Sequence, residues 1–389
     1  MDLTEKQAAK PYLGALTGLR FFAALYVVIF HTYPSWRMEG LVHSQWLWNT
    51  ISAGYLGVSF FFILSGFIIG YTYEELKTQQ RWTFWSARFI RIYPSYFLSI
   101  LPGLLGWVAI AISSSEANFN FYFAAFMALV LCQSWHPATA RMWNTPAWSL
   151  SVEAFFYLLF PFFAPFFARL KKPSHILPLL VVVYVLGLSE TFLYLAYNPI
   201  EYYLAATPSN QGLSGTLIKF HPLMHLHEFA VGLLFCRLYL NRSERSNGYQ
   251  RAGASLQWLC IGSIAGAILF SSEIPYFLLH NGLLSLIMGF LLVLLAEFPR
   301  TGLARVLASP VFVLLGDASY ALYIFHVVIR TGLGEFYTVH FDTRPVRTGC
   351  LYMVGCVLFS VLYYSTVEKY FQTLGRRVLK RVSTPRATG

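Results

Sequence analysis

The chain has 389 residues, of which 57% are hydrophobic and 12% charged, with a mean hydropathy of +0.54. Soluble domains carry roughly 25% charged residues, so a set of two or three water-soluble domains is excluded and most of the surface must face lipid. The formal net charge of +11 comes from short loops and from Arg376, Arg377, Lys380, Arg381 and Arg386 near the C-terminus. Beside apolar runs such residues meet anionic membrane lipid and set topology, so no nucleic acid is expected as a partner.

Eleven apolar stretches follow one another along the chain, over residues 13–33, 51–73, 92–113, 119–135, 148–168, 176–197, 221–240, 254–271, 277–297, 310–333 and 346–368. Most have the roughly 20 residues that a helix needs to cross a bilayer. The first holds Arg20 and no small-residue cleavage site, which predicts an uncleaved span. No repeat and no long linker interrupts the series. It predicts one membrane domain over 13–370, with a cytoplasmic tail at 1–12 and a basic cytoplasmic tail at 371–389.

Basic loops belong on the cytoplasmic side. The basic segments are 77–91, 169–172, 237–251, 300–305 and the tail, whereas 113–119, 198–220 and 271–276 carry almost no basic residues. All of the basic segments share one side if the short stretch 119–135 does not cross, with Arg141 left as an exception outside. The expected fold is an all-α polytopic membrane protein of the inner (plasma) membrane, with about ten transmembrane helices plus a short re-entrant or interfacial helix. Both termini are then cytoplasmic. The five cysteines, Cys132, Cys236, Cys260, Cys350 and Cys356, lie in or beside apolar runs without a CxxC pair. They read as small buried hydrophobes with no disulfide or metal framework.

Ionisable groups inside spans cost about 2.5 kcal/mol upwards and mark function by default. Arg20 and His31 share the first span; eleven residues bring them onto one face about 16 Å apart along the axis. Arg88 and Arg91 in RFIRIYP lie three apart and could grip phosphates, although a positive-inside anchor has the same look. Glu153 enters an apolar run just after Trp148 and Ser149, where it could equally be a helix-start group. Asp317, Tyr320, Tyr323 and His326 sit in GDASYALYIFH. In HPLMHLHEF, His221, His225, His227 and Glu228 complete no HExxH pattern, so the segment reads as an interfacial polar collar and no metal is expected.

Five pieces in one order carry a resemblance: Arg20 with His31, GVSFFFILSGFIIG, RFIRIYP, WSLSVEAFFYLLFP and GDASYALYIFH. Together, and over nearly the whole chain to YYSTVEKYF, they resemble the membrane acyltransferase-3 family, which acylates cell-surface glycans and related acceptors. The resemblance implies His31 as the catalytic histidine, Arg20 as its paired basic residue, Arg88 and Arg91 as the pair on the acyl donor, and Glu153 as the acid of its segment. Two positions depart from the family pattern: Ser59 and Ala154 stand where acids are common.

The expected reaction moves an acyl group, acetyl by family analogy, from cytoplasmic acyl-CoA as co-substrate to a hydroxyl of a glycan or glycolipid on the other side. The pantetheine arm would pass Ser65 and Gly66, whose small size leaves room. His31 would act as general base, its tautomer set by Glu153 or His326. Tyr320, Ser149 and His326 are the candidates for substrate contact, and Tyr320, Ser149 or Arg20 for the oxyanion. A transporter or flippase of a polar solute and an acyltransferase tailoring a small metabolite are the competing readings; paired inverted repeats would favour the former.

Overall fold

The structure is a computed structural model that describes residues 10–32, 44–74, 76–114, 119–198, 212–242 and 247–383. Every regular element among them is helical. In chain order these are α1 (Gly14–Thr32), α2 (Gln45–Thr72), α3 (Arg81–Ser114), α4 (Phe119–Leu129), α5 (Trp148–Arg169), α6 (Pro173–Tyr197) and α7 (Leu213–Phe220). They continue with α8 (Pro222–Leu240), α9 (Asn247–Leu269), α10 (Tyr276–Glu297), α11 (Pro310–Asp317), α12 (Ser319–Thr343) and α13 (Pro345–Gly375). Nine helices among the described residues are long and apolar enough to cross a membrane, and α11 with α12, bent by 53° at Ala318, forms a pair that is either a tenth, broken span or a re-entrant loop. Residues 1–9 and 384–389 of the expected tails and 199–211 of the expected outer loop lie outside the described residues; the last helix runs on to Ser383.

Helix α4 has 11 residues, about 16 Å of rise against roughly 30 Å of hydrocarbon. It is too short to cross, as expected for this stretch. The chain then folds back in a loop tied to α5, with Ser134 Oγ donating to the Trp148 carbonyl at 2.7 Å and Gln133 Nε2 to that of Ala147 at 2.9 Å.

Two elements differ from the hydropathy pattern. Helix α3 begins at Arg81, well before the apolar run at 92, because RWTFWSARFIR is itself helical and carries exposed Trp82 and Phe89 of the sort that anchor at a membrane interface. Helix α10 is broken at Asn281–Leu284, where Gly282 takes φ = 87° and an added Cβ would stand 2.8 Å from Glu228 Cγ. Glycine alone fits both the left-handed backbone and the close neighbour.

The ends of the helices are tied at two faces. At the near face Lys10 Nζ pairs with Glu74 at 2.8 Å and Arg237 with Glu74 at 3.0 Å, while Arg237 also donates to the Leu170 carbonyl. This joins the approach to α1 to the ends of α2, α5 and α8. At the far face Asn49 Nδ2 donates to the Leu269 carbonyl at 2.8 Å, joining the start of α2 to the end of α9.

Helix α2 is central, 83% of its apolar window being buried, whereas α6, α9 and α13 are peripheral at 22%, 17% and 22%. The peripheral helices expose Leu186, Leu259 and Leu358, the surface a bilayer requires. Cys350, expected to be buried, is exposed on α13, whose outward side is apolar. The other four cysteines are free and at least partly buried.

Gly66 does not leave room for a donor arm. Its missing side chain lets α2 meet α8, because a Cβ there would stand 2.0 Å from the Phe229 carbonyl oxygen, and one on Gly232 would stand 2.0 Å from that of Ile63. Small residues that allow backbones to approach are the usual device of helix pairs in lipid. Gly66→Ala is therefore expected to destabilise by about 1–3 kcal/mol through overpacking, read as a lower thermal midpoint of the solubilised protein.

Candidate active site

Three cavities lie in line between the faces. The near-face cavity, about 960 Å³, is walled by Lys10, Tyr73, Lys77, Arg20 and Arg91 among others. A neck of about 100 Å³ is lined by Arg20, Ser65, Arg88, Arg91, Ser149, Glu153, Tyr157, Tyr320 and Tyr323. The far-face cavity, about 680 Å³, is lined by His31, Trp148, Lys219, His280, Tyr323 and Arg330 among others. Arg20, Leu64, Ile68 and Arg91 belong to both of the first two walls, and Val58 and Tyr323 to both of the last two. The shared face of Arg20 and His31 thus looks into this passage from its two ends.

The tautomer of His31 can be followed atom by atom. His326 Nδ1 lies 2.7 Å from the Tyr323 carbonyl oxygen, which only accepts, so Nδ1 carries the proton. In a neutral ring the lone pair is then on Nε2, and it faces His31 Nδ1 at 3.0 Å. His31 Nδ1–H donates to it and also lies 3.1 Å from the Val27 carbonyl. Neutral His31 is left with a lone pair on Nε2 that has no partner among the described residues, in the wall of the far cavity. Arg330 Nη1 donates to the His31 carbonyl, tying α12 to α1, and the Tyr352 hydroxyl donates to the His326 carbonyl, tying α13 to α12.

Of the two residues expected to orient His31, the structure selects His326. Glu153 sits in the neck instead, accepting from Ser65 Oγ at 3.0 Å and from the Tyr157 hydroxyl. The two hydroxyl oxygens lie 3.2 Å apart around that carboxylate. Ser149 is 2.6 Å from the Tyr323 hydroxyl, which donates to the Pro146 carbonyl. Tyr320 lines the neck with its ring and gives its hydroxyl to the Ile92 carbonyl at 2.8 Å. All nine candidate residues line the passage except His326, which supports it from behind.

The arginine pair is recessed. Arg88 donates to the Tyr73 hydroxyl at 3.2 Å and lies over the rings of Tyr73, Phe84 and Tyr157, with its buried Nε free of protein partners. Only Arg91 of the pair reaches the near cavity as well as the neck. Around Arg20 the electrostatic neighbours are Arg91, Glu153, Asp317 and Glu368. Glu368 closes a π-helical turn at Tyr364–Glu368, and its buried Oε2 has no hydrogen-bond partner; such turns often mark functional positions.

Of the histidines of HPLMHLHEF, only His221 stays part-exposed, and His225 and His227 lie in the core instead of an interfacial collar. His225, His227 and Glu228 are buried; His225 Nδ1 is 2.8 Å from Glu228 and its Nε2 2.8 Å from the Lys219 carbonyl, while His227 meets the Asn281 carbonyl. They are packed inward because α8 follows α7 directly into the core, and they brace the break in α10. No group of three or more metal-ligating side chains occurs among the described residues. Ser59 is a brace as well, its hydroxyl donating to the His280 carbonyl at 3.0 Å.

Sequence reasoning missed Tyr157, Arg330, Lys219 and Glu368. Two carried a readable signal: Tyr157 and Arg330 stand four residues after Glu153 and His326, on the same helix faces. Lys219, in a polar loop by composition, carried none.

Nine helices long and apolar enough to cross a membrane, with a bent pair beside them, around a passage lined by arginines and His31 define a multi-pass membrane protein with its candidate site inside the bundle. A family model described as an acyltransferase domain matches residues 13–365. The chain belongs to the acyltransferase-3 family, and is a membrane acyltransferase. It is 27% identical over 379 residues to the acyltransferase MdmB of Streptomyces mycarofaciens, covering 94% of this chain and 93% of that one. It is 25% identical over 340 residues to the peptidoglycan O-acetyltransferase OatA of Listeria monocytogenes, covering 83% and 50%. To the O-acetyltransferase OatA of Staphylococcus aureus it is 24% identical over 383 residues, covering 94% and 58%. The chain thus spans about half of the length of the OatA proteins it matches. No solved structure matches it.

Proposed function

We propose that this protein is an O-acyltransferase of the inner (plasma) membrane that takes its acyl group from acyl-CoA, acetyl-CoA in the first instance, and transfers it to a hydroxyl of a glycan or glycolipid at the far face. The observation that carries the reading is the Nε2 lone pair of His31, without a partner among the described residues, on a passage whose other end holds Arg20 and Arg91, with Arg88 recessed in the neck. The basic segments 169–172, 237–251 and 300–305 and the helix ends joined through Glu74 support a cytoplasmic near face. The OatA relatives, O-acetyltransferases by name, support acetyl as the group.

In this mechanism Arg88 and Arg91 bind the phosphates of the donor and the pantetheine arm enters the neck. The neck of about 100 Å³ holds a few waters, so Phe61, Tyr157 and Tyr323 turn aside to admit the arm. The acceptor hydroxyl attacks the thioester carbonyl while His31 Nε2 takes its proton. A C–O bond forms, the C–S bond breaks, and the proton passes from His31 to the departing thiolate of CoA. His326 is the positioning residue, and the ring and hydroxyl walls of the neck exclude bulk water from the thioester.

The experiment is mass spectrometry of the cell's surface glycans with and without the gene, paired with acetyl-CoA binding to the purified protein. Loss of acetyl mass together with donor binding is the expected result. Unchanged glycans and no donor binding would overturn the reading.

A further inference from the structure

The far-face cavity has a charge pattern that acyl transfer alone does not need. Its described wall carries Arg141, Lys219 and Arg330, together with His31 and His280, and no carboxylate. Arg330 has a task, its bond to the His31 carbonyl. Arg141 is exposed and lies over the Phe220 ring at 5.7 Å.

Lys219 is the unusual member. Its side chain is only 5% exposed, yet its ammonium makes no hydrogen bond and no ion pair among the described residues. It meets only ring faces, Phe220 at 5.2 Å and Tyr276 at 4.8 Å. The buried carboxylate of this region, Glu228, is bound to His225 instead, and the other nitrogen of His225 holds the Lys219 carbonyl. The backbone that carries Lys219 is thus fixed while the charge itself is left for something else. Burial, reinforced by Arg141, pushes the ammonium down to about 7. A buried unpaired charge is costly, and an oxyanion entering the cavity removes that cost.

We infer that the acceptor is anionic, and that its carboxylate or phosphate docks on Lys219 with Arg141 in the far-face cavity, placing a neighbouring hydroxyl at His31. This rests on the acyl-transfer reading and names the substrate class for it. Arg330, at the His31 end, sets the inner limit of the anion subsite. A phosphate of a lipid headgroup has the same chemistry, and the test separates the two sources.

The full-length protein is placed in phosphatidylcholine nanodiscs without donor, and binding of methyl glucuronide, glucose 1-phosphate and neutral methyl glucoside is measured by calorimetry. The anionic sugars are expected to bind about tenfold or more tighter than the neutral one. Lys219→Met should remove that preference without lowering the thermal midpoint, since a buried unpaired charge is replaced by an apolar side chain of similar length. Lys219→Arg should keep it. Should Lys219→Met fail to fold, Arg141→Gln, at an exposed position, is expected to weaken the anionic sugars about threefold or more and leave the glucoside unchanged.

Equal affinity for charged and neutral sugars would overturn the inference, as would a Lys219→Met protein that keeps the preference. Loss of sugar binding when phosphatidylglycerol is added would assign the subsite to lipid and overturn it too. Acetyl-CoA binding in the same nanodiscs is read separately. Donor binding without anion preference sinks this inference alone, whereas anion preference without donor binding sinks the acyl-transfer reading and, with it, the role of the bound anion as acceptor, leaving only an anion subsite.

Discussion

His31→Ala is expected to lower the turnover of acyl transfer by about 10²–10⁴-fold, the range of a lost general base, with little change in donor affinity. The reason is local. The His31 imidazole is held by His326 and Val27 at Nδ1 and, among the described residues, by nothing at Nε2, so its removal deletes the proton acceptor while the helix that bears it stays in place. Arg330 bonds only the main-chain oxygen of residue 31, and that contact survives the substitution. The check is single-turnover transfer by purified protein with a matched thermal midpoint. Near-wild-type turnover would remove His31 from the chemistry. His326→Phe should act in the same direction but more weakly, because Nδ1 of His31 keeps its Val27 acceptor.

Replacing both Arg88 and Arg91 by Ala is expected to raise the Michaelis constant for acetyl-CoA about 100-fold, with turnover at saturating donor much less affected. A hydrogen bond to a charged group contributes about 1.5–3 kcal/mol, and two that share one ligand do not add fully. The single changes differ. Arg91 lines both the near cavity and the neck, so Arg91→Ala isolates donor binding, at about tenfold. Arg88 is stacked among Tyr73, Phe84 and Tyr157, so Arg88→Ala also loses packing and should lower thermal stability. Donor titrations of both variants check the split; unchanged donor affinity would return the pair to the role of a positive-inside anchor.

Hydropathy and charge carried most of the fold. The nine to ten candidate spans and the short α4 are visible because lipid demands long apolar runs of any helix that spans it. The parts that escaped are set by neighbours. Trp82 and Arg88 lie before the apolar run that begins at 92, yet α3 already includes them, because interfacial aromatics and arginines belong on such a helix. The Asn281-Gly282 pair is a turn signal inside the apolar run, but the close approach of Glu228 and His227 that requires glycine there comes from another helix. Gly66 was legible as a small residue but not as one turned toward α8.

The candidate site divides along the same line. Arg20 and His31 are readable because a charge inside a span is rare and eleven residues set a shared face. The choice of His326 over Glu153 as the partner of His31 is a long-range pairing, 295 residues apart, that no local pattern contains. Lys219 is hidden for the opposite reason. A lysine in a polar loop is ordinary, and only the enclosing rings of Phe220 and Tyr276 make it a buried charge.

The most direct test of the account is a cryo-electron microscopy structure of the protein with acetyl-CoA. The account predicts the donor's phosphates on Arg88 and Arg91, the neck open beside Tyr323, and the thioester carbon about 3–3.5 Å from a site that a hydroxyl bonded to His31 Nε2 can occupy. A donor bound with its thioester on the near side of Glu153 and the neck still closed would contradict it.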